Sequence, residues 1–192
     1  GSTTSITIGA DGLGLIAYFD ETNENLKVAH CSNINCTSAT ITTLDTGGNV
    51  GDGVSITIGA DGLGLISYSD DTNLNLKVAH CSNINCTAVT ITAIDTVGDV
   101  GLNTSITIGS DGLGLISYYD ETNGDLKVAH CSNTNCTAAT TIAIDTGGNV
   151  GDFSQITIGT DGLGLISYLD MTNLELKVAH CSNIFCSSYF RR

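Results

Sequence analysis

Apolar and polar positions along the chain fall into one pattern written four times. The segment SITIGADGLGLI begins at Ser5 and recurs with few changes from Ser55, Ser105 and Gln155, a period of 50 residues. Such a period takes precedence over any local reading. Within the first unit, short apolar and β-branched runs alternate with clusters of Asp, Asn, Gly, Thr and Ser. The runs predict four strands, at 5–9 (SITIG), 15–19 (LIAYF), 26–31 (LKVAHC) and about 40–44 (TITTL). Between them lie an Asp-Gly turn (ADGLG), a polar turn (DETNEN) and the connection CSNINC, and DTGGNVGD links to the next unit. No segment keeps a 3.6-residue apolar period long enough to predict an amphipathic helix.

Four short hairpin-linked strands in each unit predict an all-β chain. Its fold class is a β-propeller of four near-identical four-stranded blades, at about 1–50, 51–100, 101–150 and 151–192 of one domain, 1–192. A β-solenoid is the competing architecture, but its coils are usually shorter and lack four hairpin-linked strands. Blades are covered on both faces by neighbours. That accounts for LGLI and LKVA, where apolar residues occupy adjacent as well as alternate positions. The final unit is short, and Ser188–Arg192 are expected to form a brief fourth strand. The chain starts on a first strand and ends on a fourth, so no split blade latches the ring. Aromatic residues are 5% of the chain and Trp is absent. Such thin filling suits narrow wedges, and an eight-bladed ring completed by a second chain is the expectation, with a closed four-bladed monomer or a fibre as alternatives.

Charge narrows the partners. With 6 Lys and Arg against 20 Asp and Glu, the formal net charge is −14. The surface repels nucleic-acid phosphates and anionic membranes, so neither is an expected partner. No apolar run reaches the roughly 18 residues of a membrane helix. No signal peptide is visible at Gly1, and the opening Gly-Ser reads as a cloning remnant.

The eight cysteines form four C-x4-C pairs, Cys31/Cys36, Cys81/Cys86, Cys131/Cys136 and Cys181/Cys186, each on a connection between third and fourth strands. Even count and local spacing predict four disulfides within blades, and therefore an oxidising, extracellular or cell-surface setting. A zinc set of His30, Cys31 and Cys36 is the weaker reading. Neighbouring residues on a strand point to opposite faces, and three ligands fall short of the four that structural zinc takes. NCT at Asn35, Asn85 and Asn135 matches a glycosylation acceptor, though a bonded cysteine at its centre hinders modification. No cofactor or metal is expected, apart from weak calcium binding at the Asp-rich turns. The ordinary reading of those turns is Asp and Asn capping by side chains.

Three further polar types recur once per unit. His30, His80, His130 and His180 sit late on third strands, away from the axis, and are expected to hydrogen-bond within their own blades. Lys27, Lys77, Lys127 and Lys177 are the only lysines. Asp20 and its copies, across the turn, are their expected partners. Tyr18, Tyr68, Tyr118 and Tyr168 on second strands, with Asp20, Asp70, Asp120 and Asp170, are the candidate ligand-binding residues, because an aromatic face beside carboxylates suits a glycan. A Tyr on a blade strand also serves simply as packing with its hydroxyl satisfied.

The unit SITIGSDGLGLISYYDETNGDLKVAHC resembles the repeat of secreted bacterial β-propellers grouped with the sialidase-like superfamily. Those repeats carry DGxPxISYYD, NGDLKYA, a Trp-bearing strand and a VDxxGxVG linker. Here Gly14, Gly64, Gly114 and Gly164 stand where that pattern has Pro, and Trp is missing. The Asp-box of true sialidases is unmatched. Arg191 and Arg192 are the only arginines, so no arginine triad can form. The resemblance implies the fold and an extracellular setting without the hydrolase chemistry.

An active site needs unlike groups at one place, whereas copied blades present like groups everywhere. The expected function is therefore a non-enzymatic repeat scaffold or interaction module. It would self-assemble through blade–blade contacts, as a homo-oligomer whose partner is itself. The alternative is a lectin-like propeller with one weak glycan or small-ligand site per blade.

Overall fold

The computed structural model describes Gly1–Ser187, and within that range every regular element is a β-strand. The first blade holds β1 (Ser2–Ile8), β2 (Gly14–Asp20), β3 (Asn25–Cys31) and β4 (Ala39–Asp45). The second holds β5 (Val50–Ile58), β6 (Gly64–Asp70), β7 (Asn75–Cys81) and β8 (Val89–Asp95). The third holds β9 (Val100–Ile108), β10 (Gly114–Asp120), β11 (Asp125–Cys131) and β12 (Ala139–Asp145). The fourth holds β13 (Val150–Ile158), β14 (Gly164–Asp170) and β15 (Glu175–His180). Each sheet is an antiparallel meander in chain order. The fourth strand expected at Ser188–Arg192 lies outside the described residues.

The sheets fan about a hub. First strands of successive blades lie side by side, β1 on β5, β5 on β9 and β9 on β13, while fourth strands barely meet. This is the β-propeller arrangement that the fifty-residue unit predicts.

One boundary differs from the sequence reading. Val50–Asp52 and their copies are the first half of the innermost strand, not linker. Val50 pairs with Asp70, and Asp52 pairs with the residue at 69 across a bulge. The glycines and acids of VGD concealed a strand, because tight packing needs them there. At Gly51, φ is 108°, and an added Cβ would stand 2.9 Å from the Cα of Leu26.

The core lies between blades. Leu15, Ala17, Leu26 and Val28 of the first blade pack against Val54, Ile56, Ile66, Tyr68 and Ala79 of the second, with Cys81 and Cys86. The next two junctions repeat this, with Leu65, Leu76 and Val78 against Ile106, Ile116 and Tyr118, and then Leu115, Leu126 and Val128 against Ile156, Ile166 and Tyr168. Leu65 and Ile66 are neighbours on a strand and serve opposite wedges, which is why both are apolar.

Candidate functional site

The repeated polar residues converge on the wedges. At the end of β4, Asp45 accepts hydrogen bonds from the Tyr68 hydroxyl at 2.8 Å and the Lys77 ammonium at 2.7 Å, both from the next blade. Asp95 receives Tyr118 and Lys127 in the same way, and Asp145 receives Tyr168 and Lys177. Each lysine also faces its own blade's turn carboxylate, as in Lys77–Asp70 at 3.1 Å. The expected partner is therefore the nearer one only in the first blade, where Lys27 pairs with Asp20. Elsewhere the carboxylate from the preceding unit takes that place. Burial works against ionisation of Asp45, but Lys77 and then Tyr68 outweigh it and hold the carboxyl below its ordinary range. Burial first, and the Asp45 charge second, push the Tyr68 hydroxyl well above its usual value. Lys77 loses hydration on burial, yet Asp45 and Asp70 raise it. In the first blade the Lys27 ammonium, followed by the Asn23 amide, draws Asp20 down to about 2.

These networks occupy the candidate ligand-binding residues. Tyr68 and Tyr118 are fully buried and present no aromatic face to a ligand. Tyr168 is buried too, and only Tyr18 is partly open. Asp70, Asp120 and Asp170 are buried and cap their turns, with Asn73 N–H donating to Asp70 at 2.9 Å and Asn123 and Asn173 doing likewise. The Asx capping of these turns is thus directly visible.

Each histidine pairs within its own blade, with an aspartate of the first hairpin turn. His30 Nε2 lies 2.9 Å from Asp11, and His80, His130 and His180 meet Asp61, Asp111 and Asp161 at 2.8–2.9 Å. The other oxygen of Asp11 accepts the Leu13 N–H, so a single carboxylate ties the turn to the third strand. This partner was missed from sequence because Asp-Gly reads fully as a turn signal.

All eight cysteines are joined as the four predicted disulfides, with Cα–Cα distances of 4.4–4.9 Å. No thiolate is left for zinc. Cys86, Cys136 and Cys186 are buried inside wedges, whereas Cys36 on the first blade is exposed. The side chains of Asn35, Asn85 and Asn135 lie on the surface beside these bridges.

A second locus was not foreseen. Where the inner strands bulge, Thr3, Gly53, Asn103 and Phe153 take positive φ of 39°, 55°, 50° and 50°. With Thr4, Thr104, Ser154 and Gln155 they line a shallow hollow at the hub. Phe153 is 65% exposed there. The available signal was that otherwise copied units differ at these positions.

The ends of the fan also carry uncovered apolar surface. On blade 1, Ile6 and Ile8 are 65% and 61% exposed, while on blade 4 Leu176 and Val178 are 75% and 60% exposed. Inside the fan, Ile56, Leu76 and Val78 at the corresponding places are buried and Ile58, the copy of Ile8, is half-buried. Among the described residues no helix is long and apolar enough to cross a membrane.

No protein-family model and no curated protein matches the chain. Solved propeller structures do match it. An exo-β-1,3-galactanase from Phanerochaete chrysosporium aligns at TM-score 0.60 and 12% identity, over 97% of this chain and 51% of its own. A leech intramolecular trans-sialidase aligns at 0.61 and 16%, over 88% and 29%. An endo-arabinase from Bacteroides thetaiotaomicron aligns at 0.54 and 12%, over 92% and 72%. The chain spans about half or less of the first two. At identities this low the likeness shows the fold, a β-propeller, and leaves chemistry to the residues themselves.

Proposed function

We infer that the protein is a non-enzymatic repeat scaffold of an extracellular setting, which assembles with copies of itself through its end blades. The observation carrying this reading is the contrast in how side chains are used. Repeated carboxylates, tyrosines and lysines are spent on blade–blade ion pairs, while the first and last blades leave uncovered apolar positions whose internal copies are buried. Unpartnered apolar faces of this kind mark association surfaces. Four disulfides support an oxidising compartment. Two copies meeting end to end twice would make an eight-bladed ring, since each face finds its complement by twofold symmetry.

A lectin-like reading has one foothold, the hub hollow, where exposed Phe153 stands near Asn103, Thr104 and Gln155. An aromatic face with amides and hydroxyls suits a sugar ring. Electron microscopy of the purified protein, paired with a glycan array, separates the readings. Closed rings or ordered arrays without glycan binding support the scaffold. Single half-rings that bind glycans support the lectin and overturn the scaffold.

A further inference from the structure

We propose that the free face of blade 4 mates with the free face of blade 1 of a second copy of this chain, in the register of the internal junctions. This deepens the self-assembly reading and rests on it. Three features of the internal junctions specify what a partner must offer.

The first is a knob and a hole. Leu15 sits above Gly64, so that a Cβ on that glycine would be 3.0 Å from the leucine Cδ2. Leu65 covers Gly114 and Leu115 covers Gly164 in the same way. At the ends the pair is split. Leu165 is 38% exposed, against 1% or less for its three copies. A Cβ on Gly14 would find Cys31 and Ile6 of its own blade nearest, and no leucine at 3.0 Å. The last blade carries a knob without a hole, and the first a hole without a knob.

The second is a matched pair at one place in each wedge. The first junction sets Ala17 against Val54, both buried and apolar. The second sets the Ser67 hydroxyl against Thr104 Oγ1 at 2.7 Å, and Thr104 donates onward to the Gly53 carbonyl. The third sets Ser154 against Ser117 at 2.9 Å. Hydroxyl meets hydroxyl and methyl meets methyl, because a serine at the Ser67 or Ser117 position facing a methyl would be left buried and unpaired. The residues left at the ends are Ser167 and Thr4, the combination of the second junction. Thr4 is exposed here, whereas Val54, Thr104 and Ser154 are buried. In the mated pair, Thr4 would accept from Ser167 and donate to the Phe153 carbonyl.

The third is a backbone contact. Ser5 Oγ accepts the Ile56 N–H from the next blade at 3.1 Å, and Ser55 and Ser105 do the same for Ile106 and Ile156. The fourth blade has Gln155 at this place. Its amide oxygen can accept the corresponding Ile6 N–H of a second copy. Both end faces thus carry the leucine, glycine and paired positions that the chain already buries against itself, with Gln155 in place of serine, which is why the occupant is another copy and not an unrelated protein.

The test is the dissociation constant, by sedimentation velocity, of the intact disulfide-bonded chain and four variants. Leu165→Asp places a charge in the proposed seam and is expected to weaken association at least a hundredfold. Thr4→Val strands the Ser167 hydroxyl and should weaken it about tenfold, whereas Ser167→Ala leaves Thr4 its bond to the Phe153 carbonyl and should weaken it about threefold. The double variant Thr4→Val/Ser167→Ala recreates the Ala17–Val54 junction and should recover to within about threefold of the original. All three sites are at least partly exposed in the single chain, so unchanged circular dichroism is expected throughout. Association insensitive to Leu165→Asp, or a double variant as weak as the product of the singles, overturns the register while leaving self-assembly standing. A chain that stays monomeric overturns self-assembly itself.

Discussion

The carboxylate of Asp45 closes the last strand of one blade and holds the Lys77 ammonium of the next at 2.7 Å. The two residues are 32 positions apart in the chain. This bridge and its copies join consecutive blades at their polar rims, as the apolar wedges join them along their faces.

Removing the carboxylate should loosen a junction. Asp95→Ala leaves Lys127 and the buried Tyr118 hydroxyl without their acceptor and is expected to cost about 1–3 kcal/mol of unfolding free energy at pH 7. Urea titration with a fluorescence or circular-dichroism readout measures it. A cost below about 0.5 kcal/mol, the range of ordinary surface changes, would show that the bridge contributes nothing.

The same bridges set a pH window. Asp45, Asp95 and Asp145 have carboxyls held below their unfolded value of about 3.9. Their contribution is complete above that value and is lost as pH falls through the depressed folded values. Lys77 and Tyr68 are raised, so theirs is complete below about pH 10 and is lost on further increase. The stability these bridges contribute should therefore be constant from about pH 5 to 9 and fall on both sides. In Asp45→Asn the acid fall should be shallower, and an unchanged acid limb would contradict the assignment.

Each disulfide closes a small ring, worth about 2 kcal/mol on the chain-entropy account. Thiol titration of the unreduced protein should find no reactive cysteine. Under mild reductant the exposed Cys31–Cys36 bridge should open first, because its three copies are shielded inside wedges. Its opening should slow as protein concentration rises, since association covers blade 1. Mass mapping of alkylated peptides reads both effects, and equal rates for the four bridges would contradict them.

Gly64→Ala forces a methyl to within 3.0 Å of Leu15 and 2.9 Å of Cys81 Sγ, and should destabilise the chain by about 1–3 kcal/mol. Gly14→Ala meets only its own blade's Cys31 at that range. It should cost less in thermal unfolding of dilute protein. Equal losses would mean that the leucine contact is not what makes the glycine necessary.

Much of this was legible in the chain. The fifty-residue period identifies the blade, the C-x4-C spacing identifies the bridges, and apolar neighbours such as Leu65 and Ile66 announce two covered faces. The inner half of β5 was not legible, because Gly51 is demanded by contact with Leu26 rather than by strand preference. The Asp45–Lys77 pair was hidden for a different reason: the nearby Asp20 type satisfies a local reading, and only the fan brings the preceding unit's carboxylate closer. The hub residues, from Thr3 to Phe153, differ between units and so fell outside a reading built on what is repeated.

The account stands most directly on the mass of the native particle in solution. Sedimentation equilibrium of the disulfide-intact protein at micromolar concentration should return twice the 19.8 kDa of the chain. A fully folded species of 19.8 kDa, unchanged up to the highest concentration attainable, would contradict it.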